Sequence, residues 1–165
     1  MNRRNIAASI LTALVIIGSP AVSFAQTAPG ATLPKAPVVG SAAPADEYFG
    51  RLSMSILGIR NQLNKLGGKV DANPSDTSVL GMAKLVEQSI ADWEYHYPSD
   101  SWISGQLLQL LHVYAHVDSP AAHTAAVRTF KWIVEKYPAK ADAAIAEMGH
   151  GAEAADDAKA DDNAH

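Results

Sequence analysis

At 165 residues, with 48% hydrophobic residues, no cysteine and a formal charge of −4, the chain can fold one domain but has no disulfide, lipid-modified cysteine or thiol nucleophile. The charge is uneven: residues 26–140 hold ten acidic and ten basic side chains, and residues 141–165 hold seven acidic ones against Lys159 alone. A neutral body with an acidic tail offers no basic face to a phosphate backbone or anionic lipid, which argues against nucleic acid as a partner.

The first residues follow the order of a secretory signal. Arg3 and Arg4 supply the positive start, Ile6 to Ile17 the apolar core, and Gly18-Ser19-Pro20 the break. Ser23 and Ala25 then place small residues where a signal peptidase reads, so cleavage is expected before Gln26. The apolar core is shorter than the roughly 20 residues of a spanning helix, so the membrane is met only during export. This predicts a periplasmic or secreted protein with residues 1–25 as its signal peptide.

Residues 26–45 form a Pro/Ala-rich linker. Prolines at 29, 34, 37 and 44 oppose helix and favour extended backbone. A helical domain is predicted over 46–148. Its first helix carries Phe49, Leu52, Ile56, Ile59, Leu63 and Leu66 at alternating spacings of three and four, with Asp46 as cap and Gly67-Gly68 as stop. The second places Val79, Met82, Val86, Ile90, Trp93 and Tyr97 on one stripe before Pro98. The third starts from Asp100 or Ser101 and runs through Trp102, Ile103, Leu107, Leu110, Leu111 and Tyr114. The fourth opens with Ser119-Pro120, a cap followed by proline at the first helical position, and continues through Ala126, Phe130, Ile133 and Tyr137 to Pro138. A short fifth helix is expected from Ala141 to Met148. Residues 149–165, rich in Ala, Asp and Gly without an aliphatic stripe, read as a disordered acidic tail. No segment of useful length alternates as a strand does, so the fold class is all-α: two antiparallel hairpins plus a short C-terminal helix. Glycines 50, 58, 81 and 105 fall inside helical patterns and suggest close helix–helix approach.

The second and fourth helices align at a shift of 40 residues. Ser89 then faces Thr129, Ile90 faces Phe130, Trp93 faces Ile133, and Tyr97-Pro98 faces Tyr137-Pro138. Periods of this size are typical of helix-pair solenoids. Leu107, Leu110, Leu111 and Tyr114, followed by Ala126, Phe130 and Pro138, resemble a degenerate tetratricopeptide repeat over residues 101–138, with Leu111 and Ile133 in place of the family's small residues. The first hairpin keeps only Val86, Ile90 and Pro98 of that pattern. The resemblance implies stacked helical hairpins of the bacterial cell envelope; a compact four-helix bundle fits the same periodicity. Either way Phe130 is expected in the core, near Leu107, Leu110 or Tyr114.

Chemistry-bearing residues are sparse. His112 and His116, four apart, share a helix face, and with Asp118 or His123 they could hold zinc or copper; the glutamate of a zinc-protease helix is missing. Without an identifiable third ligand, the pair reads as polar-face residues near a helix C-terminus, and no metal or other cofactor is expected. Asp92, Glu94, His96 and Asp100 bracket Trp93, Tyr95 and Tyr97, but Asp92 and Glu94, two apart on a helix, diverge too far for paired acid–base work. No nucleophile elbow, Ser-x-x-Lys or phosphate loop occurs. The chain therefore reads as an exported, non-enzymatic helical adaptor whose partner is another envelope protein or a second copy of itself. The alternative is a small metal- or ligand-binding protein using His112 and His116, with His123 as a further candidate.

Overall fold

A computed structural model describes residues 42–150; the expected signal peptide (1–25), residues 26–41 of the expected linker and residues 151–165 of the expected tail lie outside them. Helices α1 (Ile56–Ala72), α2 (Val79–His96), α3 (Trp102–Ala115) and α4 (Pro120–Lys136) are followed by a 3₁₀ turn, Pro138–Lys140, and by α5, residues 141–150. The fold is all-α, as periodicity predicts. Among the described residues the β pairing is one isolated bridge, between Phe49 and Met54.

That bridge corrects the start of the first helix. Phe49 and Met54 exchange backbone hydrogen bonds of 2.8 and 2.9 Å, closing a turn over Gly50–Ser53. Gly50 (φ 68°) and Ser53 (φ 46°) both adopt left-handed backbone. Gly50 is also pressed on α2: a Cβ there would sit 2.8 Å from Ser89 Cα, while its amide donates to Asp92 Oδ2 at 2.8 Å. α1 consequently begins after Ser55, whose Oγ accepts from Gly58 N at 3.1 Å, and Asp46 is not its cap. Leu52 is left exposed at the turn. Phe49 still reaches the core, because the turn folds it back onto Trp93 (centroids 5.9 Å, stacked) and Tyr97 (6.0 Å, edge-on).

Gly67-Gly68 does not stop α1, which continues to Ala72. Two interior glycines cost about 2 kcal/mol relative to alanine. Burial of Ile59, Leu63, Leu66 and Val70 along one face outweighs this, at about 1.5–3 kcal/mol per large aliphatic side chain. The stop is Pro74: the residue before a proline avoids helical backbone, and Asn73 is extended at φ −154°, ψ 93°.

The later boundaries follow the sequence closely. Ser119 Oγ accepts from Ala122 N at 3.1 Å, with Pro120 first in α4. Asp100 prepares the start of α3, its Oδ1 accepting from Trp102 N at 3.0 Å; Ser101 makes no side-chain cap. The 40-residue correspondence recurs in the backbone. Tyr97 (φ −134°, ψ 64°) and Tyr137 (φ −130°, ψ 60°) end their helices alike, each amide bonding the carbonyl four residues back. Ser89 and Thr129 are both fully buried, their hydroxyls donating to the carbonyls of Leu85 and Ala125.

α3 lies centrally and packs on α1, α2 and α4, while α1 also meets α2. Ile59, Leu63, Ile90, Trp93, Ile103, Leu107, Leu110, Leu111 and Ile133 build the core. Phe130, expected inside it, is only half-buried at the margin, and Ala126, Thr129 and Ile133 take the inward positions of α4. Gly81 and Gly105 have open space around them, so they mark no close approach of helices. Upstream of Asp46, Ala43 already packs on the core and donates its amide to Asp100 Oδ2 at 2.9 Å.

Candidate functional site

Three places on this frame gather functional chemistry: the acidic and aromatic stretch 92–102, the histidine face of α3, and an apolar groove beside the N-terminal turn.

In the first, the fold separates the carboxylates. Asp92 receives Gly50 N and lies 3.3 Å from His96 Nδ1. Glu94 faces α4, where it accepts from Trp132 Nε1 (3.0 and 3.2 Å), Lys136 Nζ (2.6 Å) and Tyr137 Oη (2.7 Å). Asp100, 2% exposed, ties the indole N–H of Trp93 (3.1 Å), the amide of Ala43 and the first turn of α3 together. Each acid has a structural task, and no pair of them brackets a common space. Trp93 and Tyr97 are core residues; only Tyr95 of the aromatic trio is exposed.

A parallel link lies two helical turns earlier on α2. Glu87 receives a forked pair from Arg128 (Nε and Nη2, both 2.9 Å) and the hydroxyl of Tyr114 at 2.8 Å. Burial first, and then the adjacent carboxylate, push both the Tyr114 and Tyr137 phenols well above the ordinary tyrosine range. The hydrogen bond to Glu87 holds Arg128 more firmly in its charged form.

The histidines are brought together. His112 and His116 sit on the last turn of α3 and its C-cap, their rings 4.1 Å apart. His112 Nδ1 lies 2.7 Å from Glu147 Oε1 on α5, and its Nε2 lies 2.8 Å from Asp71 Oδ1 near the end of α1. His116 Nδ1 is 3.0 Å from the His112 carbonyl and 3.5 Å from Glu147 Oε1. Ligand atoms of His112, His116 and Glu147 all fall within 4.8 Å of one another. His123 stands apart on the exposed first turn of α4, and Asp118 uses its amide to bond the Pro74 carbonyl. The third member, Glu147, was missed in the sequence because it lies on a separate helix 35 residues away. Its place in a short, Ala-rich helix carried no hint of a partner.

The groove has a volume of about 360 Å³ and is lined by Ala42, Ala43, Ala45, Ile56, Leu57 and Trp102, among others. Leu57 and Trp102 are each 53% exposed. Aromatic and aliphatic side chains standing open beside a concave apolar surface are the usual anchors of a protein contact. Among the described residues no helix is long and apolar enough to cross a membrane. Comparison with protein families, with curated proteins and with solved structures finds no match to this chain.

Proposed function

We propose that the protein is an exported helical adaptor of the cell envelope, which binds a protein partner through the groove between Leu57 and Trp102. The observation that carries this reading is the pair of half-exposed apolar side chains flanking a 360 Å³ apolar groove. Two features support it. The acids around Trp93 are occupied in holding the fold, so that cluster offers no carboxylate pair for acid–base work. The leading helices of the two hairpins, α1 and α3, also lie side by side, as in stacked helical hairpins of the tetratricopeptide kind.

A photoreactive phenylalanine at position 102 of the full exported chain tests this in the producing cells. The expected result is one discrete adduct that disappears when Leu57→Asp is added. The same probe at Ile145, exposed on α5, serves as the control. An adduct of twice the chain mass identifies the partner as a second copy. If position 102 yields no more adduct than position 145, the groove is not a contact surface.

A further inference from the structure

The geometry points to a binding site for a divalent transition ion of the zinc class, formed by His112, His116 and Glu147, with Asp71 holding His112 from behind. It is independent of the adaptor reading and uses a different end of the molecule.

A neutral imidazole has one N–H and one lone pair, so it can satisfy only one carboxylate by donation. Here both ring nitrogens face carboxylate oxygens, at 2.7 and 2.8 Å. One solution is an imidazolium; the other is a cation shared by Nδ1 and Glu147, with the Nε2 proton donated to Asp71. The surroundings favour the second. His116 presses a second imidazole within 4.1 Å of the first and also faces Glu147. His116 Nδ1 has the His112 carbonyl as acceptor at 3.0 Å, which leaves Nε2 as the His116 atom able to take an ion. Two neutral imidazoles and two carboxylates balance a charge of +2.

The ligand set is suitable. Zinc takes imidazole nitrogen and carboxylate oxygen at about 2.0–2.2 Å, and two His with one Glu is a known set that leaves a fourth position for water. A spread of 4.8 Å between ligand atoms closes to such a site by side-chain rotation. Asp71 supplies the outer-shell carboxylate that metal-bound histidines ordinarily have, and the His112 carbonyl steadies His116. The site is half-shielded: His116 and Glu147 keep only 16% and 25% of their side-chain surface exposed. Since the ligands come from α3 and α5, a bound ion would fasten the last helix to the body of the domain.

The test uses the full mature chain without a His-tag, stripped with chelator and titrated with zinc by calorimetry; cobalt(II) is added separately and followed by visible absorption. The expected result is one zinc per chain and a cobalt spectrum of low coordination number. Glu147→Gln and His116→Gln should each weaken zinc binding at least tenfold, and Asp71→Asn by about 10–100-fold. His123→Gln should change nothing. Melting curves in chelator establish that each variant folds. The proposal is overturned if the wild-type chain takes up no zinc, or if Glu147→Gln binds zinc and colours cobalt as wild type does. It also fails if His112→Gln lowers the melting temperature equally with and without zinc, which would make the cluster a plain ionic staple.

Discussion

Asp100 joins the N-terminal segment, α2 and the start of α3 through one buried side chain, so its removal sets a sharp expectation. Its Oδ2 accepts from the Trp93 indole at 3.1 Å and from the Ala43 amide at 2.9 Å, and its Oδ1 from Trp102 N at 3.0 Å. In Asp100→Ala the indole N–H of Trp93, which is wholly buried, loses its acceptor with no route to water. A stranded buried donor costs about 1–3 kcal/mol, and a lost helix-start acceptor about 1 kcal/mol more. The Ala43 amide, partly buried, adds about 0.5–1.5 kcal/mol as one ordinary hydrogen bond. Together these come to about 2.5–5.5 kcal/mol, a large part of the 5–15 kcal/mol typical of a domain. Asp100→Asn keeps one acceptor oxygen for Trp93 but turns N–H groups toward Trp102 N, so it should lose about 1–2 kcal/mol. Urea unfolding followed by helical circular dichroism, with Trp fluorescence alongside, measures both. The midpoint should fall in the order wild type, Asn, Ala at constant slope, which indicates a change of stability and not of the unfolded state. If Ala lies within 1 kcal/mol of wild type, or Asn is as damaging as Ala, the buried network does not do what its geometry implies.

Further expectations follow from packing and backbone. Phe49→Ala should cost about 3–5 kcal/mol, as a fully buried aromatic does, and Phe130→Ala clearly less; equal melting temperatures for the two variants would contradict the core described above. Gly50→Ala should destabilise strongly, since it adds a strained left-handed alanine and a collision with Ser89 Cα, whereas Gly68→Ala, with open space inside α1, should raise stability by about 0.5–1 kcal/mol. Thermal melts of the two variants should therefore shift in opposite directions. The Tyr114 and Tyr137 phenols are held neutral in the folded state, above their unfolded value of about 10. Their contribution is complete below that value and is lost as pH rises past it, because the unfolded chain then releases protons that the folded one retains. Melting temperature should thus drop above about pH 10, and Tyr114→Phe with Tyr137→Phe should flatten the drop; an unchanged slope would dissociate these residues from it.

Much of the fold is local, and that part was legible. Stripes at helical spacing, Ser119-Pro120 and the two Tyr-Pro steps are near-neighbour effects: a side-chain cap, a missing N–H and a conformational bar before proline. They determine α2, α3, α4 and the all-α class without reference to the rest of the chain. The first helix shows where such reasoning ends. Phe49 and Leu52 keep helical spacing, yet Gly50 lies against Ser89 of α2 and bonds Asp92, so a contact some 40 residues away selects a turn. Gly67-Gly68 has the local character of a stop, but burial of Leu66 and Val70 against the core carries the helix to Pro74. The histidine cluster lies further beyond sequence reasoning. Spacing alone puts His112 and His116 on one face; only the packing of α1 and α5 against α3 brings Asp71 and Glu147 to within 3 Å of His112. Periodicity specifies which way a helix faces its core, because that depends on neighbours three and four residues away. Which acid meets which histidine depends on the angles and offsets between helices, and those are decided by the interlocking of the whole core.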